Sequence, residues 1–429
     1  MMASELPDKY HVPQWLGTKV RRRFHVMVKP AGAACNLDCG YCFYLSKEKL
    51  AGGLGRGRMS DDQLELLIQQ YIEGVTAGDV VFSWQGGEPT LRGLDFFRKV
   101  VALQAKHARP GQRIENDLQT NGTLLDAEWA QFLKEHRFLV GLSIDGPREL
   151  HDRFRITKQG APTFDGVMAA VELLRQYDVP FNTLTSVHRF NATRPLDVYR
   201  FLRRELGSTY MQFIPIVQAR GFETSAPGAL GSLQLPMPGA PRARPGHPAS
   251  VVTEWSVDPD EYGRFLRAIW DEWRSNDLGD VLVNFAETLV AQHLGLPSQL
   301  CVHSEICGKG VAVEHDGAVY ACDHYVYPEY SRGRLGDERS LADMVFSPEQ
   351  VHFGYAKSET LPQFCRQCSF LTDCWGECPK NRLLRTPDGE PGLNYLCAGL
   401  KRFFAHAGPQ ADEIAAQLRS PPPQPMPRM

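Results

Sequence analysis

No uninterrupted apolar run in this chain of 429 residues approaches the roughly 20 residues needed to cross a bilayer, which argues against a transmembrane helix. Charge of one sign is not in excess either. The 47 basic and 50 acidic side chains leave a formal −3, so no global positive field exists to hold nucleic acid or an anionic membrane. A convincing secretion signal is missing as well. Arg21 to Arg23 followed by Phe24 to Cys35 has the outline of a signal or lipobox, but His25, Lys29 and Pro30 interrupt the apolar stretch, and the segment reads as a first strand. Partners must be met through discrete sites, and the expected compartment is the reducing cytoplasm.

What is present is an ordinary globular composition, 43% apolar and 23% charged, long enough for two or three domains. Short β-rich runs at Phe24 to Val28, Val80 to Trp84, Ile114 to Gln119, Leu139 to Ile144, Phe181 to Val187 and Met211 to Val217 alternate with helical patterns. Repeated βα units favour parallel pairing, as a doubly wound sheet or a curved partial barrel. In either, reactive groups collect beyond the carboxyl ends of the strands. Cys35, Gly86-Gly87-Glu88-Pro89, Thr120-Asn121-Gly122 and Asp145-Gly146 all fall there.

The expected divisions are a polar leader over 1–22, a βα domain over 23–218 and a Pro/Gly-rich flexible insertion over 219–250. A helical bridge over 251–300, a cysteine-rich extension over 301–406, and a helix end with a disordered proline-rich tail over 407–429 complete the chain.

Eleven cysteines are an odd number and fall in two groups, so disulfides alone cannot use them all. Cys35, Cys39 and Cys42 form C-x3-C-x2-C directly after a strand. Three thiolates on a [4Fe-4S] cube leave one iron open to a small molecule; a zinc knuckle with a distant fourth ligand is the alternative. The second group comprises Cys301, Cys307 and Cys322, then Cys365, Cys368, Cys374 and Cys378 in C-x2-C-x5-C-x3-C, and finally Cys397. Eight thiolates fit two four-ligand sites, which could equally be zinc ribbons. Between Cys307 and Cys322 an Asp316-Gly317 turn joins two alternating segments, a hairpin carrying ligands. His303, His315 and His352 are read as packed or solvated, and His324 and Tyr325 as structural.

The cysteine loop, the aromatic residue before its third cysteine and the following glycine loop resemble the radical S-adenosylmethionine (SAM) enzymes. The hairpin and the C-terminal cysteine run resemble the SPASM extension. Cys42-Phe43-Tyr44, Gln85 to Thr90, Ser143 to Pro147, Gln212 to Pro215, Cys322 to Tyr325 and Asn394 to Cys397 resemble, within that group, the anaerobic sulfatase-maturating enzymes. The resemblance implies an α/β fold, a partial (β/α)6 TIM-like radical SAM barrel with a C-terminal cysteine-rich SPASM extension of β-hairpin and helices. It implies SAM and three [4Fe-4S] clusters: one on Cys35, Cys39 and Cys42, a nearer auxiliary cluster on Cys301, Cys307, Cys322 and Cys378, and a farther one on Cys365, Cys368, Cys374 and Cys397. It implies SAM contacts from Tyr41, Gly87, Ser143, Arg155 and Val217, and a catalytic base at Asp323. The implied reaction turns a Cys or Ser in a sulfatase precursor, as a peptide or unfolded protein, into Cα-formylglycine, with electrons from a flavodoxin or ferredoxin. Two other readings are a SPASM enzyme forming thioether or carbon-carbon crosslinks and a non-catalytic zinc-ribbon protein.

Overall fold

Alternation decides the strands. Val26, Val28, Phe82, Trp84, Leu118 and Val140 are buried in one hydrophobic cluster, while intervening positions such as Lys29, Ser83, Asp117 and Gln119 point the other way and are polar. In the computed structural model, which describes residues 7–10, 22–47, 57–228 and 234–419, six strands pair in parallel in chain order. These are β1 (His25–Lys29), β2 (Val80–Trp84), β3 (Ile114–Thr120), β4 (Leu139–Ser143), β5 (Phe181–Val187) and β6 (Tyr210–Pro215).

Helices α1 (Asp61–Gly74), α2 (Leu94–His107), α3 (Ala127–Glu135), α4 (Phe164–Gln176) and α5 (Pro195–Arg200) connect them. Local sequence sets their starts: Ser60 and Gln63 form a reciprocal capping box on α1, and Asp126 caps α3 through the Trp129 N–H. The pattern from Arg194 to Leu206 predicts one helix, but α5 loosens into a π turn at Phe201–Glu205.

Downstream, α6 (Pro259–Asn276) leads to β7 (Leu282–Val283), which pairs with β6, and to α7 (Asn284–His293). The ligand-bearing hairpin is not a separate layer. Its first strand, β8 (Gly310–Glu314), lies parallel to β1, and β9 (Ala318–Tyr320) and β10 (Ser331–Arg334) continue the sheet antiparallel, giving ten strands. The boundary expected at residue 301 therefore does not separate two sheets. Two further helices matter to the site, α8 (Pro348–Glu359) and α9 (Cys397–Arg419), the latter packed on α6. At that crossing a Cβ on Gly399 would stand 1.9 Å from the Pro259 carbonyl oxygen, so only glycine admits the approach.

The insertion over 219–250 departs from the expectation of a flexible segment. Among its described residues, Ala219 bridges to Val252, Arg220 donates to the Pro248 carbonyl at 2.8 Å, and Tyr327 Oη donates to the Phe222 carbonyl at 2.7 Å. Phe222, Leu235 and Ala243 are buried. Its composition lacks periodicity, yet scattered apolar residues tie it down through tertiary contacts. Most of the expected leader, and the tail from 420 onward, lie outside the described residues. Residues 407–419 complete α9.

Candidate active site

The turn after β2 is stapled to the carboxyl end of β3 by a buried carboxylate. Glu88 accepts hydrogen bonds from the Thr90 N–H (3.1 Å) and hydroxyl (2.7 Å), the Thr120 hydroxyl (2.8 Å) and the Asn121 N–H (2.8 Å). Burial pushes its carboxyl up against the pull of these bonds. The loop bearing Cys35, Cys39 and Cys42 lies directly on this turn: Gly87 N–H donates to the Gly32 carbonyl at 2.9 Å and Glu88 N–H to the Ala34 carbonyl at 2.8 Å. A Cβ on Gly87 would sit 1.9 Å from the Ala34 oxygen. Asn121 Nδ2 donates to Asn36 Oδ1 at 2.9 Å, fixing the loop from a third side.

A second node lies at Asp145. Arg155 donates to it through Nε (3.0 Å) and Nη2 (3.1 Å), Ser186 N–H donates at 3.0 Å, and the Tyr41 hydroxyl also donates to it. Burial opposes ionisation of Asp145, but the Arg155 guanidinium outweighs it and holds the carboxyl below its usual range. Tyr41 and Arg155, expected to meet SAM, thus share a structural partner, Asp145, which the sequence marks only as a residue of the rim. Ser143 Oγ accepts from Gln119 Nε2 at 3.0 Å, and the carbonyl of buried Val217 accepts from Lys380 Nζ at 2.6 Å. Tyr41, Gly87, Ser143, Arg155 and Val217 all belong to strand carboxyl ends or to the loops that follow them.

Asp323 follows Cys322 just beyond the hairpin, and its carboxylate forms an ion pair with Lys29, the last residue of β1. The pairing of β8 with β1 makes this meeting possible. Burial opposes the Asp323 charge and Lys29 favours it, leaving the carboxyl below its usual range. Lys29 Nζ also stands 4.5 Å from the Tyr44 ring centroid, and the Tyr44 hydroxyl donates to Glu314. The His324 ring packs 4.9 Å from Phe43, and burial pushes its imidazole down to about 3. Lys47 lies with Nζ 3.4 Å from the Tyr327 ring centroid, pushed down to about 7 by burial. Lys29 and Lys47 carry no motif, and only the sheet topology could have pointed to Lys29.

The remaining eight cysteines lie in two neighbourhoods of the C-terminal region. Cys322 and Cys378 lie in the electrostatic neighbourhood of Cys301, as does Cys307. Cys365, Cys368, Cys374 and Cys397 line one pocket with Phe370, Leu400 and Phe404. No cysteine is in a disulfide. Burial pushes Cys35 and Cys39 up to about 12, Cys307 to about 11, and Cys374, Cys378 and Cys397 to about 12. Bare thiolates are therefore disfavoured, and coordinated iron would supply the charge that stabilises them. Among the described residues, no three His, Cys, Asp or Glu side chains converge as a single metal ion requires. Four thiols around a cavity fit a four-iron cube better than a point ion. His303, His315 and His352 are not needed as ligands: the His303 ring packs against Phe404 and that of His352 against Tyr10, and His315 is buried.

The radical SAM superfamily matches residues 30–202, and the SPASM iron-sulfur cluster-binding domain matches residues 301–369. The chain is 42% identical over 394 residues to the serine-type anaerobic sulfatase-maturating enzyme of Bacteroides thetaiotaomicron, covering 92% of each chain. It is 32% identical over 400 residues to the cysteine-type enzyme of Clostridium perfringens, covering 92% of this chain and 99% of the relative. The solved structure of native anSMEcpe with bound AdoMet and Cp18Cys peptide matches with a TM-score of 0.78 at 32% identity, over 93% of this chain and 100% of that chain.

Proposed function

The chain belongs to the anaerobic sulfatase-maturating enzymes, radical SAM enzymes with a SPASM domain, and from that premise we propose that it oxidises a side chain of a sulfatase precursor to Cα-formylglycine, with Ser as the preferred residue. Higher identity to the serine-type relative supports the seryl preference. The observation that carries the reading is the Lys29–Asp323 ion pair. It fixes a carboxylate between the end of β1, which feeds the three-cysteine loop, and the C-terminal cysteine region.

The cofactors are SAM and [4Fe-4S] clusters. Cys35, Cys39 and Cys42 would hold the SAM-binding cluster, and the two quartets would hold the auxiliary clusters. Bound there, cluster and SAM supply the one-electron chemistry that removes a hydrogen atom from the substrate Cβ. Tyr41, Gly87, Ser143, Arg155 and Val217 are the proposed SAM contacts. Gly87 would act by letting the two loops close together, and Tyr41 and Arg155 through groups that Asp145 holds still. After the hydrogen atom leaves, reaching the aldehyde requires loss of one more electron and of the hydroxyl proton. Asp323 is the proposed acceptor of that proton, oriented by Lys29.

The reading includes a cytoplasmic site of action and a flavodoxin or ferredoxin as electron donor. Among the described residues no helix is long and apolar enough to cross a membrane. Its test is anaerobic incubation of the holoenzyme with SAM, dithionite and a seryl sulfatase-motif peptide, followed by hydrazide capture and mass spectrometry. The aldehyde gives a hydrazone. A crosslinked product also loses two hydrogens but forms no hydrazone, and that result would favour the crosslinking alternative.

A further inference from the structure

Between Cys374 and Cys378 the chain adopts a conformation that side chains resist. Trp375, Gly376 and Glu377 have φ of 47°, 69° and 50°, a left-handed run in which only the glycine is at ease. Glu377 carries a second burden, because its surface is only 4% exposed. Its carboxylate is held by neutral amides: Asn381 Nδ2 donates to Oε2 at 2.8 Å and Asn394 Nδ2 at 2.7 Å. Among the described residues no cation forms an ion pair with it. The two amides are themselves anchored. Asn394 Nδ2 also reaches the Gly376 and Cys378 carbonyls, at 3.1 Å and 3.3 Å, and the Asn381 carbonyl accepts from the Tyr395 N–H at 2.7 Å.

The position explains the expense. Cys378 belongs to the quartet with Cys301, Cys307 and Cys322, and Cys374 to the quartet with Cys365, Cys368 and Cys397. One five-residue segment therefore supplies a thiol to each, and Glu377 lies inside it. Among the described residues three cations stand near the first quartet and none forms an ion pair with Glu377: Lys357 Nζ donates to the Cys301 and Val302 carbonyls at 2.6 Å and 2.9 Å, Lys380 Nζ to the Val217 carbonyl at 2.6 Å and Arg382 Nη1 to the Thr360 hydroxyl at 2.7 Å, all neutral acceptors. Glu377 is thus a fixed negative charge between two sites that each gain negative charge when reduced.

We propose that Glu377 sets the reduction potentials of the auxiliary clusters, lowering both, and lowering more the one held through Cys378. A buried anion opposes added electrons most strongly where water does not screen it. The consequence for the reaction is that the electron surrendered by the substrate is kept at low potential and can be passed on to an acceptor protein. The accompanying proton goes to the base, and no bond is made or broken at Glu377, which acts through the clusters as a positioning charge. The inference rests on the assignment of the quartets to clusters and not on the identity of the peptide.

The test is an EPR-monitored redox titration of reconstituted holoenzyme without peptide, comparing wild type, Glu377→Gln and Glu377→Gly. Glutamine keeps size and hydrogen-bonding capacity while removing charge. Glycine removes the charge and suits the left-handed backbone, which guards against a glutamine variant that fails to assemble. With iron content at the wild-type level, both midpoint potentials should rise in either variant. Unchanged or lowered potentials, or a rise confined to Glu377→Gly, would overturn the proposal. Wild-type protein with iron for the N-terminal cluster alone would instead overturn the cluster assignment, a distinguishable failure.

Discussion

Lys29 closes β1 and Asp323 follows Cys322 beyond the β8–β9 hairpin, yet the two form an ion pair with 2% of one side chain and 19% of the other exposed. Removing one partner of such a pair leaves a buried charge uncompensated, a penalty of about 3–5 kcal/mol when fully buried. The lower end applies here, because part of Asp323 is exposed. Lys29→Met should therefore lose most formylglycine formation, roughly tenfold or more, a factor of ten being about 1.4 kcal/mol. SAM cleavage should continue, raising the ratio of 5′-deoxyadenosine to product. Asp323→Asn should give the same uncoupling with all clusters present, and Lys29→Arg should restore part of the coupling. Wild-type coupling in Lys29→Met would remove Lys29 from the account.

Gly87 is tested by a single methyl group. Because its Cβ would stand 1.9 Å from the Ala34 oxygen, Gly87→Ala must push the Cys35 loop off the Glu88 turn. Iron analysis should show loss of the N-terminal cluster's share alone, with 5′-deoxyadenosine formation abolished. Full iron occupancy together with normal SAM cleavage would show that the two loops can part without consequence.

The α6–α9 crossing should be as intolerant. In Gly399→Ala the new methyl meets the Pro259 backbone, and overpacking of this kind costs about 1–3 kcal/mol. Cys397 lies two residues away at the start of α9, so the farther quartet should loosen with it. Thermal unfolding should move to lower temperature and the farther cluster should be lost first. An unchanged midpoint would mean that the helices slide apart freely.

Acid should weaken the fold in a defined window. His151 and His188 are buried as neutral imidazoles, both pushed down to about 4, chiefly by burial. As pH falls from about 6.5 towards 4, the unfolded chain binds protons that the folded chain refuses. Each histidine then subtracts up to about 1.4 kcal/mol of stability per pH unit. Asp117 works in the opposite direction. Burial raises it to about 6, so below that pH the folded chain takes its proton before the unfolded chain does. Asp117→Asn removes the offset, and its unfolding midpoint should fall more steeply than wild type between pH 6.5 and 4.5. Parallel pH profiles would contradict the assignment.

Much of this architecture is legible in the residues because it is local. The alternation of Val26, Val28, Phe82 and Trp84 places β1 and β2, and cysteine spacing singles out the loop after β1. What escapes is what topology brings together. Nothing near Lys29 announces that β8 will lie beside it, and nothing around Asp145 signals that Tyr41 and Arg155 will converge on it. The insertion misleads for the opposite reason: its proline and glycine content reads as loose, while Phe222 and Leu235 are buried by distant neighbours. Glu377 looks like an exposed acid until Asn381 and Asn394 close over it.

Cys35, Cys39 and Cys42 are proposed to hold a cube with one iron left for SAM. ENDOR spectroscopy of the reduced holoenzyme with SAM labelled by 15N at the amino group tests it directly. A hyperfine coupling from that nitrogen in wild type, absent in Cys35→Ala together with 5′-deoxyadenosine formation, is the predicted result. A fully assembled N-terminal cluster that shows no coupling to the label would contradict it.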